Sequence, residues 1–171
     1  VARFTREVRH SPAVDQRSGV SARFAIACVE ELSGAAVRRA AISGEPLAVA
    51  RIGDLSGVVP SLRGKVEFDV SAEGGEDATM ELLARRATAD AWRAHLGDND
   101  VRPTLTALVG WFDDGNSLVA GDTVPAVTVL AEIGPVDGLG RLVTSLEPDL
   151  DASPGVVAAC LEFAVEGLWL T

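Results

Sequence analysis

Few side chains in this sequence could carry chemistry, and their spacing decides what kind. Lys65 is the single lysine among fifteen basic residues. A phosphate-binding loop needs GxxxxGK followed by Ser or Thr, so that backbone amides and the lysine cradle the phosphates. Lys65 sits in RGKVE, with Val66 where the hydroxyl belongs and Val59 where the first glycine belongs. The motif is therefore absent. The run LVGWFDD, Leu108 to Asp114, carries the apolar stretch and acidic pair of a Walker B strand, but its spacing reads as a helix end. GPVDGLG (134–140) does not match GxGxxG and reads as an interhelical turn.

Acyl-transfer and metal chemistry are no better served. GVSAR (19–23) lacks the closing glycine of a nucleophile elbow. His10 and His95 are the only candidate bases, and both read as solvated. The acidic pairs Glu76–Asp77, Asp113–Asp114 and Asp149–Asp151 read as turn and cap residues, because adjacent carboxylates on a helix point apart. Cys28 and Cys160 form no CxxC and no Cys/His cluster, so structural zinc is not expected. Both lie in apolar helical patterns and read as free thiols in a reduced cytosol rather than as a disulfide.

The elements that must position these residues are predicted to be helices. Phe4 and Val8 give the stripe of a helix over 2–9, broken by Pro12 and Gly19. Ser21 is a candidate N-cap for a long helix over 22–42, with Ala25, Val29, Leu32, Ala36 and Ala40 on one face. Arg38 and Arg39 lie near its C-terminus, where the helix dipole favours cations, and Gly44 and Pro46 stop it. Asp54 can cap a short helix that ends near Pro60. KVEFDV (65–70) alternates and predicts a short strand or an extended linker. Further helices are expected over 76–96, with Leu83, Ala87, Ala91 and Ala94 in a stripe, and over 102–112, 124–133 and 137–146. A last helix opens at Ser153-Pro154, with Val157, Leu161, Ala164 and Leu168 on one face.

The predicted fold class is thus mainly all-α, with at most one or two short strands. Apolar residues make up 47% of the 171, enough to build a core. Charge divides unevenly: residues 1–66 hold ten basic and six acidic residues (+4), and residues 67–171 hold five and nineteen (−14), which together give −10. That division, with the polar SAEGGED (71–77), places an expected boundary between domains 1–66 and 67–171. It reads either as two units with different partners or as a solvated surface. The acidic part argues against nucleic acid. No apolar run approaches a membrane span, and no signal peptide is visible. Val1 lies within a helical pattern, so the chain reads as part of a longer protein.

One segment stands out. SGVSARFAIACVEEL puts Arg23 in the first turn of a long helix, after a glycine-containing loop. By residue type alone Arg23 is either solvated, salt-bridged or turned towards an anion. SPAVDQRSGVSARFAIACVEELSGAAVRRAAISGE, followed by AVARIGDLSGVVPSLRGKVEF, is similar to the lid of AAA+ ATPases of the magnesium-chelatase I-subunit and MoxR type. It most resembles a bacterial branch labelled magnesium-chelatase-like, whose members continue into a helical tail.

The resemblance implies a helical lid over 1–66 and an acidic helical C-terminal domain over 67–171. It implies that Arg23 is the sensor-2 arginine that contacts the nucleotide γ-phosphate, with Arg17 as runner-up. ATP and Mg²⁺ are implied for the parent protein and not for this chain alone, because Walker A, Walker B, sensor 1 and the arginine finger would lie upstream. The implied partners are that ATPase core and neighbouring ring subunits, with a protein partner for the acidic domain and a cytoplasmic location. The parent would remodel a partner protein or assist metal insertion. The alternative is a free-standing helical interaction module, with Trp92, Trp111 and Trp169 as anchors or as core.

Overall fold

The computed structural model describes residues 1–17, 19–68, 75–97, 99–147 and 153–171. It is all-α: no strand or sheet occurs among the described residues. The elements are α1 (Ala2–His10), α2 (Ala22–Ser43), α3 (Asp54–Val58), a 3₁₀ turn (Val59–Leu62), α4 (Gly75–Leu96), α5 (Arg102–Asp113), α6 (Ala126–Ile133), α7 (Leu139–Leu146) and α8 (Pro154–Leu170). The alternation at 65–70 yields one isolated antiparallel bridge, Val14 to Phe68, with Asp15 N–H donating to Glu67 O at 2.9 Å. Asp69 and Val70, most of the SAEGGED segment and Asp149–Asp151 lie outside the described residues.

The stop signals act where the residue chemistry puts them. Gly44 takes φ +70°, a left-handed conformation that closes α2 and that a β-carbon disfavours. Ser153 Oγ accepts from Val156 N–H at the start of α8, with Pro154 in the first turn. Ser21 occupies the N-cap of α2 but makes no side-chain capping bond.

Two apolar clusters form the core. The first joins Phe4 and Val8 of α1 and Phe24 and Cys28 of α2 to Val58, Val59 and Leu62, and to Met80, Leu83 and Ala87 of α4. Phe4 and Phe24 meet at 5.6 Å between ring centroids. The second joins Trp92 and Leu96 of α4 to Leu105, Leu108, Ile133, Leu142, Leu161 and Ala164. At 1.5 Å per residue α4 spans roughly 33 Å, so one helix serves both clusters. The packing therefore crosses the expected boundary at residue 66. Arg63, before that point, also bonds Asp77 in the first turn of α4 and holds its carboxyl below the usual carboxylate range.

The expected face of α2 holds at Ala36 and Ala40, which are buried, and at Leu32, which packs against the core. It is corrected at the start of the helix, where Phe24, Ala27 and Cys28 point inward and Val29 is 52% exposed. Phe24 supplies far more apolar area than Ala25, so the first turns are oriented by its burial. In α4 the stripe ends on Trp92 and Leu96 rather than on Ala94, for the same reason. α8 buries Leu161 and Ala164 as expected, but also Gly155, Ala158, Glu162, Val165 and Gly167. It contacts α4, α5, α6 and α7, which makes it the central helix.

The α4–α8 crossing has no room to spare. Trp92 Nε1 donates to Ala164 O at 3.0 Å, and a β-carbon on Gly167 would lie 1.8 Å from Trp92 Cδ1. Gly167→Ala is expected to destabilise the chain by about 2–3 kcal/mol through overpacking. Urea denaturation followed by Trp fluorescence checks this, and an unchanged midpoint would show that the helices do not cross here.

Candidate functional site

The arginines singled out in the sequence lie on the surface. Arg23 is exposed in the first turn of α2 and makes no hydrogen bond or ion pair with a described residue. A cation at a helix N-terminus opposes the helix dipole, so local helix energetics do not explain it. Arg17 is also exposed, 3.5 Å from Asp15, whose Oδ1 accepts from the Arg17 backbone N–H at 2.8 Å. Arg17 lies in the loop between α1 and α2, and Arg23 in the helical turn that follows it. His10 Nδ1 is 2.8 Å from Arg6 O, and His95 is exposed near the end of α4. Leu108–Asp113 is the end of α5, as its spacing predicted. No group of three potential metal ligands occurs among the described residues.

A buried charge network went unrecognised in the sequence. Arg39, 1% exposed, pairs with Asp54 Oδ1 and donates to Val49 O. Asp54 Oδ2 accepts from Arg51 N–H at 2.8 Å. Asp54 therefore ties back the turn that precedes α3 instead of capping the helix from outside, and Gly53 holds the N-cap position. The Arg51 guanidinium reaches Glu162 Oε1 at 2.8 Å, and also donates to Val124 O. Glu45 Oε1 accepts from Ala126 N–H at 2.6 Å, at the positive end of α6.

Burial pushes the Glu162 carboxyl above the usual carboxylate range, against the pull of Arg51 and Arg39. The sequence signal was there to be found: Glu162 is the one charge in the apolar run VVAACLEFAV. A lone charge inside an apolar helix needs a buried partner.

This network forms the back wall of a cleft of about 890 Å³. Glu162, Val165, Glu166 and Trp169 of α8 line one side. Ser117 to Asp122, apart from Val119, line another, and Ile52, Gly53 and Gly57 a third. Trp92 is core, Trp111 is half-buried against Phe112, and Trp169 is 73% exposed, its ring centroid 5.9 Å from that of Phe112 in a T-shaped arrangement. The cleft holds carboxylates but neither of the histidines nor the cysteines.

Both cysteines are free. Cys28 is fully buried, and desolvation pushes its thiol up to about 11. Cys160 is half-buried, and burial raises its thiol pKa as well. No helix among the described residues is long and apolar enough to cross a membrane. No protein-family model, curated protein or solved structure matches the chain.

Two tests follow from this geometry. Arg51→Met strands Glu162 in the interior and is expected to cost about 3–5 kcal/mol at pH 7. A carboxyl whose pKa is higher folded than unfolded takes up a proton on folding, so its contribution to stability falls as pH rises between the two values. Losing Arg51 raises the Glu162 pKa further and carries that fall towards neutral pH. Arg51→Met/Glu162→Gln removes it, as denaturation curves at several pH values will read. Cys28 should also resist iodoacetamide at pH 8, where a thiol of pKa about 11 is roughly one part in a thousand thiolate. Mass spectrometry of the native chain measures that resistance.

Proposed function

We propose that this chain is the nucleotide-sensing lid and C-terminal region of a AAA+ ATPase of the magnesium-chelatase-like and MoxR-like type. The observation that carries the reading is Arg23, an exposed guanidinium on the first turn of a 22-residue helix, with no partner among the described residues. The helix, loop, long helix and Asp54-led short helix run in the order that the family resemblance implies. In this reading Arg23 reaches across to the γ-phosphate of ATP held by the ATPase core. There a guanidinium stabilises charge on the phosphoryl oxygens and couples lid angle to nucleotide state. Arg17 is the second candidate.

The surface of α2 supports the same reading. Ile26, Val29 and Val37 are more than half exposed and share one face, and Arg23 sits beside it at the N-terminal end. An apolar face next to an unpaired cation suits contact with a nucleotide-bearing core. Mg²⁺ would be held by that core. The parent protein would act in the cytoplasm on a protein partner or in metal insertion.

The test is Arg23→Ala in the protein that carries the ATPase core. ATP hydrolysis is expected to fall by at least about tenfold, as when one charge-stabilising donor is lost from a transition state. Arg17→Ala should have the smaller effect. Unchanged turnover and unchanged nucleotide-dependent assembly in Arg23→Ala would refute the sensor role.

A further inference from the structure

We propose that the cleft beside α8 is a docking groove for an extended polypeptide segment of a partner protein, one that carries a lysine or arginine. The first observation concerns backbone. Asn116 to Ala120 runs without helix, turn or bend along the cleft. Val119 is turned away, its N–H donating to Glu132 Oε2 at 2.8 Å. The backbone groups of Ser117, Leu118 and Ala120, which line the cleft, bond no described residue. Unpaired backbone along a groove is what an incoming extended segment pairs with.

The second observation is charge. Asp54 and Glu162 in the wall are neutralised from behind by Arg39 and Arg51. Asp122 is shared with Arg38 at 3.9 Å. Glu166 alone among the lining carboxylates pairs with no described cation. One helical turn further on stands Trp169, exposed, with Phe112 at its edge. A carboxylate next to an aromatic face favours a guanidinium or ammonium, which gains an ion pair and a cation–π contact together. An anionic side chain beside Trp169 would meet Glu166, and Arg38, the cation in the lining, is already shared with Asp122. At about 890 Å³ the cleft exceeds one side chain and fits a short run of residues. Nucleotide plays no part in this docking, so it stands or falls apart from the ATPase reading.

The test is an NMR titration of the 171-residue chain with the blocked peptide acetyl-Val-Arg-Val-Ala-amide. Matched peptides with citrulline or glutamate in place of arginine run beside it. Saturable shifts are expected at the amides of Leu118, Ala120 and Gly121 and at the Trp169 indole. Glu166→Gln, Trp169→Ala and the citrulline peptide should each weaken binding by about three- to tenfold. Glu166 and Trp169 are accessible to solvent, so both variants should keep the native spectrum elsewhere. The proposal is overturned by no saturable shift up to about 5 mM, by equal binding of the three peptides, or by shifts away from the groove. Shifts that follow protein rather than peptide concentration would mark a self-association surface and would overturn it too.

Discussion

Two guanidinium groups out of water, Arg39 and Arg51, set the terms for the rest of the fold. Removing such charges from solvent costs several kcal/mol each unless partners surround them. Asp54 serves both, through its side chain to Arg39 and through the Arg51 backbone N–H. Glu162 completes Arg51 across 111 residues of sequence. Val49 O and Val124 O take one further donor each, while the Nε of both arginines has no partner among the described residues. None of these partners can be lost singly without stranding a charge. The C-terminal half of α2, the turn into α3, the entry to α6 and the middle of α8 must therefore arrive together.

That requirement explains features that look unrelated. α8 is apolar on most sides because it packs among four other helices, yet it carries Glu162 where Arg51 meets it. Its other end is fitted to α4 by the absence of a side chain at Gly167, where Trp92 lies. With the helix fixed at Glu162 and at Gly167, the face that carries Glu166 and Trp169 cannot turn inward. It is left opposite the irregular segment at 116–121, and the cleft is the space between them. The cleft thus follows from where the charges and the tryptophan are satisfied.

Much of this was legible in the residues, and the parts that were not share a cause. Helix ends were readable because Gly44, Pro46, Pro103 and Ser153-Pro154 act locally, through φ, missing donors and caps. The facing of the first turns of α2 was not, because ARFAIACVEELSGAAVRRA offers small residues on nearly every side and the choice falls to a distant ring, Phe4. The network was hidden for the same reason. Arg39 looks like a dipole-favoured surface cation until Asp54 is placed beside it. Arg51 and Glu162 announce themselves only as charges out of context, and their pairing is purely tertiary. Arg23 was singled out by resemblance, and the structure places it exposed in the first turn of α2 with no partner among the described residues.

The distribution of polarity carries one last consequence. This fold places four charged groups, Arg39, Arg51, Asp54 and Glu162, inside, while Ile26, Val29 and Val37 remain outside on one face of α2. Covering that face would gain roughly 25 cal/mol for each Å² of apolar surface removed from water, so leaving it exposed forgoes a stabilisation that the interior could have used. The buried charges show why the interior could not take it. α2 must turn Arg39 towards Asp54 and Phe24 towards Phe4 at once, and those two anchors leave Val29 and Val37 on the opposite side. The apolar face of α2 is therefore a by-product of the network's geometry. Arg23 heads the same helix, so the two anchors also fix where its backbone stands, while its guanidinium is exposed with no partner among the described residues.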